Sequence, residues 1–407
     1  MRIVHVNAVS GSGSTGRLCE ELSSGLEALG HNSSVAFSSG SGAPGDFKFN
    51  SSTEVKVHAL ASRLSGLQGF YSTAGTYRLI EYLQSEAVDI VHLHNVHANC
   101  LNLPILARYL AENDIATAIT LHDAWLYTGN CTHYSNVGCS RWLDGCGQCP
   151  QLKQGNPSWF FDRTEEMLSA KAGWFSAIPR IAVIGVSKWI TEEARRSILA
   201  SASKVTAIYN WVDLETFRPL PGMIRDSPLE VGPGLNVVSV ATRWTPGKGL
   251  ADLTAVASEL ASRGDSRVHI VGEMSDAQPL PPNVVRVGPV KDRETLASIY
   301  RSADVLLSLS REESFGLVIA EAIACGTPAV VMDATGCAEL VADNVGYAVR
   351  PGDVQEIVRA LDCVDVRGKA SYREACRSKA VQEFGMRDRI AEYESVYRWL
   401  RGLSGAR

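Results

Sequence analysis

At 407 residues the chain exceeds the roughly 100–200 residues of one ordinary domain and has room for two α/β domains. Apolar residues make up 45% and charged residues 20%, which excludes long disorder, and a formal charge of -5 excludes the basic footprint of a dedicated nucleic-acid binder. No apolar run reaches the roughly 18 residues of a membrane span, and the opening Arg2–Val6 reads as a strand, not a signal-peptide core, so a cytoplasmic location is expected, with peripheral contact to the inner face of the membrane left open.

The first strand, Arg2 to Val6, runs into the glycine loop Ser10-Gly11-Ser12-Gly13-Ser14-Thr15-Gly16. Leu18, Leu22, Leu26 and Leu29 then repeat at helical spacing up to a stop at Gly30, and Ser34 to Phe37 resumes an extended pattern. Further strands end in Asp89–His94, Ala116–His122 and Arg180–Ser187. Apolar strands alternating with helices predict a parallel sheet covered on both faces. The rhythm breaks at Asn210–Asp213, and 213–233, with Pro219, Pro221, Pro228 and Pro233, reads as a linker after a domain over 1–212.

A second doubly wound domain is expected over 234–386. Its strands fall at Leu235–Ala241, Val268–Val271, Val284–Val287, Val305–Ser308 and Ala329–Met332, with helices over 250–263, near 294–302, from Gly316, and over 354–363 and 372–384. The last segment, 387–407, carries Ile390, Tyr393, Val396, Tyr397 and Leu400 on one helical stripe. Ligands of open α/β sheets sit beyond the carboxyl ends of the strands, so the chemistry is sought in those loops, at a cleft between two Rossmann-like domains.

Two such loops carry charge. Arg311-Glu312-Glu313-Ser314-Phe315-Gly316-Leu317 joins a strand to a helix that holds Glu321. Carboxylates eight positions apart on a helix, at about 1.5 Å rise per residue, can hold two polyols of one extended ligand, and the N–H groups at the helix start favour phosphate. The plainer reading has Glu313 capping the helix and Glu321 solvated. In the second loop Arg243 and Lys248 flank a turn. A departing diphosphate needs fixed cations where no Mg²⁺ serves, although two solvated loop cations are the plainer reading.

The order of these loops resembles the donor half of the family-4 GT-B glycosyltransferases, which are retaining enzymes. Similar in the same order are the glycine loop, Ile208–Asp213 with Phe217-Arg218-Pro219, and Ala322–Pro328, so the resemblance covers almost the whole chain. It implies that Glu313 meets the donor sugar and Glu321 the ribose, that Arg243 and Lys248 clamp the diphosphate, that the backbone near Val290 meets the base, and that the last helix, within 387–407, crosses back to pack on the first domain. His122 matches a histidine beside the transferred sugar, where a strand-end histidine is otherwise a satisfied core residue. Gly13 and its loop are assigned to diphosphate or acceptor contact. A dinucleotide-binding reading of that loop is set aside, on the expectation that it lacks the Gly-x-Gly-x-x-Gly register after the first strand and because the acidic residue expected about 20 positions on is replaced by Ser34-Val35. Glu313, His122, Arg243 and Lys248 are thus the candidate catalytic residues, with Gly13, Val290, Ser314, Phe315, Gly316, Leu317 and Glu321 completing the donor site.

The implied reaction moves a sugar from UDP or GDP to a hydroxyl of a glycan, lipid-linked or small-molecule acceptor. No cofactor is expected for catalysis. A leaving phosphate oxygen would take the acceptor proton, since no dedicated base is evident. A sugar-nucleotide epimerase or a non-catalytic nucleotide- or anion-binding protein remain the alternatives, while a phosphorylase would need a pyridoxal-phosphate lysine for which the sequence shows no site. Phe70, Tyr71, Trp125, Tyr127 and Trp142 would line an acceptor groove or a core.

Ten cysteines are present, and four of them, Cys131, Cys139, Cys146 and Cys149, cluster after His122. With Trp142 and Pro150 they resemble a bacterial cell-surface glycan subgroup of the same family. Structural Zn²⁺, reduced thiols and disulfides stay open, with His133 a substitute ligand, and none of these makes the metal catalytic.

Overall fold

The computed structural model describes residues 1–220, 227–264, 266–275, 279–341 and 344–402. They form two compact units, Met1–Ile208 with the chain from Arg387, and Tyr209–Met386.

In the first unit β1 (Arg2–Ser10), α1 (Gly13–Ala28), β2 (Asn32–Gly40), β3 (Phe47–Lys48), α2 (Ser52–Ser65), α3 (Thr73–Ser85), β4 (Ile90–Leu93), α4 (Leu103–Glu112), β5 (Ala116–Leu121), α5 (Thr164–Ser176), β6 (Ile181–Gly185), α6 (Lys188–Arg196) and β7 (Lys204–Ala207) follow one another. The strands lie parallel in the order β3-β2-β1-β4-β5-β6-β7. Every residue of β4, β5 and β6 is buried, which is why these strands are continuous apolar runs without alternation. Helix α1 buries Leu18, Leu22 and Leu26 and ends just before Gly30, whose φ of 83° suits glycine.

In the second unit β8 (Asn236–Arg243), α7 (Leu250–Ala261), β9 (Arg267–Glu273), β10 (Val284–Gly288), α8 (Arg293–Ser302), β11 (Val305–Ser308), α9 (Leu317–Ala324), β12 (Ala329–Met332), β13 (Gly346–Val349), α10 (Val354–Arg367) and α11 (Arg373–Glu383) build a second parallel sheet in the order β10-β9-β8-β11-β12-β13. Both sheets are Rossmann-like, as the resemblance to the GT-B enzymes leads one to expect.

Helix α12 (Met386–Gly402) packs on the first unit through the buried stripe Ile390, Tyr393, Val396, Tyr397 and Leu400. The Tyr397 hydroxyl lies 2.7 Å from His92 Nδ1, and Tyr393 Oη lies 3.2 Å from Thr120 Oγ1. A Cβ on Gly25 of α1 would stand 2.1 Å from Ile390 Cδ1, so glycine there allows the close approach.

Two expectations change. The stretch after Asp213 is not a free linker at its start: Phe217 is fully buried against Tyr300, and Arg377 and Arg301 bind the carbonyls of Leu214, Thr216, Phe217 and Arg218. These backbone acceptors tie 213–218 into the second unit, while 221–226 of the expected linker, Pro221 included, lies outside the described residues. The glycine loop also shrinks, because β1 runs to Ser10 and α1 starts at Gly13, leaving only Gly11 and Ser12 between them.

Candidate active site

Two strand-end loops of the second unit bring the residues expected at a donor site together. After β8 the chain makes one 3-10 turn, Pro246–Lys248, and enters α7 from Gly249 in the left-handed region, φ 77°. A Cβ on Gly249 would lie 2.1 Å from the Leu309 carbonyl oxygen, and one on Gly247 would lie 2.0 Å from Glu312 Oε2. The Gly247 carbonyl accepts from Arg311 N–H at 3.0 Å. Glycines are therefore what let the Arg243–Gly249 loop lie flat against the loop after β11.

That contact brings Lys248 onto Glu313, whose carboxylate accepts from the ammonium. Burial pulls the Lys248 pKa down, and the Glu313 carboxylate outweighs it, so the net value is raised. The ammonium stays charged at neutral pH. Ser314 and Phe315 are buried, the Phe315 ring against Tyr209 and Phe384, and Gly316 at φ 96° turns the backbone into α9. Ile319 and Ala320 N–H donate to the Gly316 carbonyl at 3.0 and 3.2 Å, which leaves Leu317 and Val318 at the start of α9 as the N–H groups suited to an anion. Glu321 is buried, 5% exposed, and accepts from Tyr300 Oη at 3.3 Å, which corrects the solvated reading.

The two expected cations are not alike. Lys248 is partly enclosed, whereas Arg243 is largely exposed and gives Nε and Nη2 to Glu273 Oε2 at 3.1 and 3.0 Å. Val290 stands half-exposed in the connection from β10 to α8, next to the left-handed turn at Gly288. Gly13, in the first unit, begins α1 at φ 69° with open space where a Cβ would be. Its loop does carry the Gly-x-Gly-x-x-Gly spacing over Gly11, Gly13 and Gly16, but Glu20 occupies two of its donors, accepting from Ser10 Oγ and Gly11 N–H at 2.6 Å each.

His122 follows β5 directly. Its Nε2 lies 3.1 Å from His94 Nδ1, and His94 Nε2 lies 3.1 Å from His5 Nδ1. Burial lowers the pKa of His122 to about 4 and of His5 to about 3, so the chain of imidazoles is neutral at pH 7. Next to it Asp123 accepts from His97 Nε2 at 2.7 Å and from Trp125 N–H at 2.8 Å. Sequence reasoning missed His5, His94 and His97. The signal was His92-x-His94 at a strand end, in register with His5 on β1. His5, His92 and His94 each bring one ligand atom within 4.8 Å of the others. His92 is held at both nitrogens by Tyr397 and Thr120, outside the His5–His94–His122 chain of hydrogen bonds.

Trp125 and Tyr127 are buried core residues of the first unit, Trp142 is buried beside the cysteine cluster, and Phe70 and Tyr71 are half-exposed. Cys131, Cys139, Cys146 and Cys149 line one cavity and carry free thiols.

Two family models match, Glycosyltransferase Family 4 over residues 15–216 and Glycosyl transferases group 1 over 227–379. The chain is 25% identical over 308 residues to a putative colanic acid biosynthesis glycosyl transferase WcaC of Escherichia coli, covering 74% of this chain and 72% of that one. It is 33% identical over 190 residues to a D-inositol 3-phosphate glycosyltransferase of Mycobacterium sp. (strain KMS), spanning 43% of each. Among solved structures, sucrose-phosphate synthase from Thermosynechococcus elongatus superposes with TM-score 0.68 at 16% identity, over 99% of this chain and all of that one. Anabaena HepE in complex with UDP gives TM-score 0.65 at 18% identity, over 97% of this chain and all of HepE.

Proposed function

Because this chain belongs to the family-4 GT-B glycosyltransferases, we propose that it is a retaining enzyme. It transfers a sugar from a UDP- or GDP-linked donor to a hydroxyl of a glycan, lipid-linked or small-molecule acceptor. The observation that carries the reading is the Lys248–Glu313 pair at the N-terminal end of α9. One ligand fits both charges: a nucleoside diphosphate sugar, whose phosphate meets Lys248 and the helix N-terminus while its sugar hydroxyls donate to Glu313. As the bond to the diphosphate breaks, negative charge grows on the leaving oxygen, and Lys248, held protonated by Glu313, is already in place to meet it. Arg243 reaches the same diphosphate once it leaves Glu273, buried Glu321 takes the ribose hydroxyls, and the backbone at Val290 takes the base.

His122 stays neutral and offers a sugar hydroxyl a hydrogen bond, its ring oriented by His94. With no dedicated base, the leaving phosphate oxygen accepts the acceptor's proton. Similarity to WcaC supports a cell-surface polysaccharide as the product. No helix among the described residues is long and apolar enough to cross a membrane. A surface patch supports peripheral contact: Val57, Leu60 and Leu64 of α2 stand exposed with Trp159, Phe160 and Phe161, joined by Trp159 N–H to the Arg63 carbonyl at 2.7 Å, with Lys56 and Arg163 nearby in sequence.

The test is a nucleotide-sugar thermal-shift screen, followed by measuring nucleoside diphosphate release with and without acceptor. Acceptor-dependent release lost in Glu313→Ala, with the fold intact, is the expected result. Unchanged turnover in that variant removes the site assignment, and binding without release under any acceptor favours a non-catalytic protein.

A further inference from the structure

The connection from β5 to α5, residues 122–163, contains no strand and no helix longer than one turn among its described residues. A connection that long needs something other than secondary structure to hold it. Part is aromatic packing, with Tyr127 and Tyr134 each against Trp142 at 5.3 and 5.2 Å. The rest centres on sulfur. Cys131, Cys139, Cys146 and Cys149 are all half-buried and line one cavity with Tyr134, Arg141 and Trp142. The other six cysteines lie elsewhere, five buried and Cys363 exposed.

Donors and a cation lie around the sulfurs. The Cys131 and Cys149 thiols are hydrogen-bonded to each other, and Cys146 Sγ accepts from Gly129 N–H at 3.3 Å. Cys146, Gly147 and Gln148 are successive left-handed residues at φ 60°, 83° and 45°. For the two that are not glycine this costs about 1–2 kcal/mol each, and it curls the Cys146-x-x-Cys149 segment into a tight turn. Arg141 braces that turn: its carbonyl accepts from Cys146 N–H at 2.7 Å, and Nη1 donates to the Gly147 carbonyl at 3.0 Å. The buried Lys171 ammonium, held by the carbonyls of Trp125 and Thr128 at 2.5 and 2.9 Å, lies within electrostatic reach of Cys146 and Cys131.

We infer that these four cysteines bind a structural zinc ion that fixes the connection carrying His122 and Asp123. Four thiolates are a soft, closed tetrahedral set with no open coordination position, which matches zinc in a structural role. The four sulfurs do not yet lie within 4.8 Å of one another, so on loading they draw together on one centre as each thiol gives its proton to solvent, leaving a net 2− cluster that the N–H groups, Arg141 and Lys171 offset. The constraint passes back along the chain through Thr128 Oγ1 to the Cys131 carbonyl at 2.8 Å and Ala124 N–H to the Thr132 carbonyl at 2.9 Å.

The test uses the full chain without a metal-binding tag, purified in metal-depleted buffer. Plasma mass spectrometry and native mass spectrometry are expected to give about one zinc per chain, released by a mercurial thiol reagent and captured by a colorimetric chelator. Cys131→Ser and Cys149→Ser should each lose most of the metal, with Cys363→Ser keeping it. Because those variants can unfold, the wild-type measurement decides alone: a metal-free chain that takes up no added zinc, with four reactive thiols or two disulfides in its place, overturns the inference. So does full zinc retention in folded Cys131→Ser and Cys149→Ser.

Discussion

Replacing Glu313 by Gln separates the two halves of the proposed donor contact, because it is predicted to move binding and turnover in opposite directions. Lys248 and Glu313 are 29% and 23% exposed, so their attraction falls well below the roughly 4 kcal/mol of unit charges about 4 Å apart at an effective dielectric near 20; discounted for solvent, about 1–2 kcal/mol is reasonable. In the free protein a phosphate must compete with Glu313 for the ammonium. Glu313→Gln removes that competition, and UDP or GDP is predicted to bind equally well or up to about 10-fold tighter, as 1.4 kcal/mol allows. Turnover of the nucleotide sugar should fall nonetheless. Losing charged hydrogen bonds worth about 1.5–3 kcal/mol to the sugar hydroxyls lowers kcat/KM by about 10- to 150-fold. Lys248→Ala should lower both, with kcat down by about 10²–10³. Isothermal titration with UDP and GDP, beside a diphosphate-release assay, reads all of these effects. If Glu313→Gln weakens nucleoside diphosphate binding as strongly as Lys248→Ala, or turns over like the wild type, the two-charge reading is wrong.

Other perturbations test the supporting structure. His5 is held near pKa 3, and His58 and His122 near 4, all by burial. The unfolded chain therefore takes up protons first as pH drops below about 6.5, and stability should decline from there toward pH 4 by up to about 1.4 kcal/mol per unit for each histidine. Urea midpoints that do not change between pH 7.5 and 5 would exclude this. Tyr397→Phe removes the 2.7 Å partner of buried His92 and should cost about 1–3 kcal/mol, seen as faster proteolysis at α12. Gly249→Ala meets the Leu309 carbonyl at 2.1 Å from a left-handed φ and should destabilise the second unit while lowering nucleotide affinity; an affinity equal to the wild type would show that this loop does not place Lys248. Phe160→Ser with Phe161→Ser should abolish flotation with anionic vesicles, leaving soluble-acceptor turnover untouched.

Much of the fold was legible because its signals are local. Strands such as Val305–Ser308 and Ala329–Met332 are continuous apolar runs, which is what burial on both faces of a parallel sheet demands, and the stripe on α12 repeats at helical spacing. The segment from β3 through α3 was not read, since two residues of strand and an α2 with Val57, Leu60 and Leu64 exposed offer no clear amphipathic period. The donor loops announced themselves by charge at strand ends, the positions that parallel α/β topology reserves for ligands.

The residues alone thus determined the architecture and the candidate charges, because both follow from periodicity and from neighbours in the chain. Tertiary structure decided which charges meet. Lys248 finds Glu313 because Gly247 and Gly249 let two loops lie in contact, whereas Arg243 turns to Glu273 on the adjacent strand. It likewise placed His5, His94 and His122 in one line, since strand pairing aligns residues up to 89 positions apart that share no local signal.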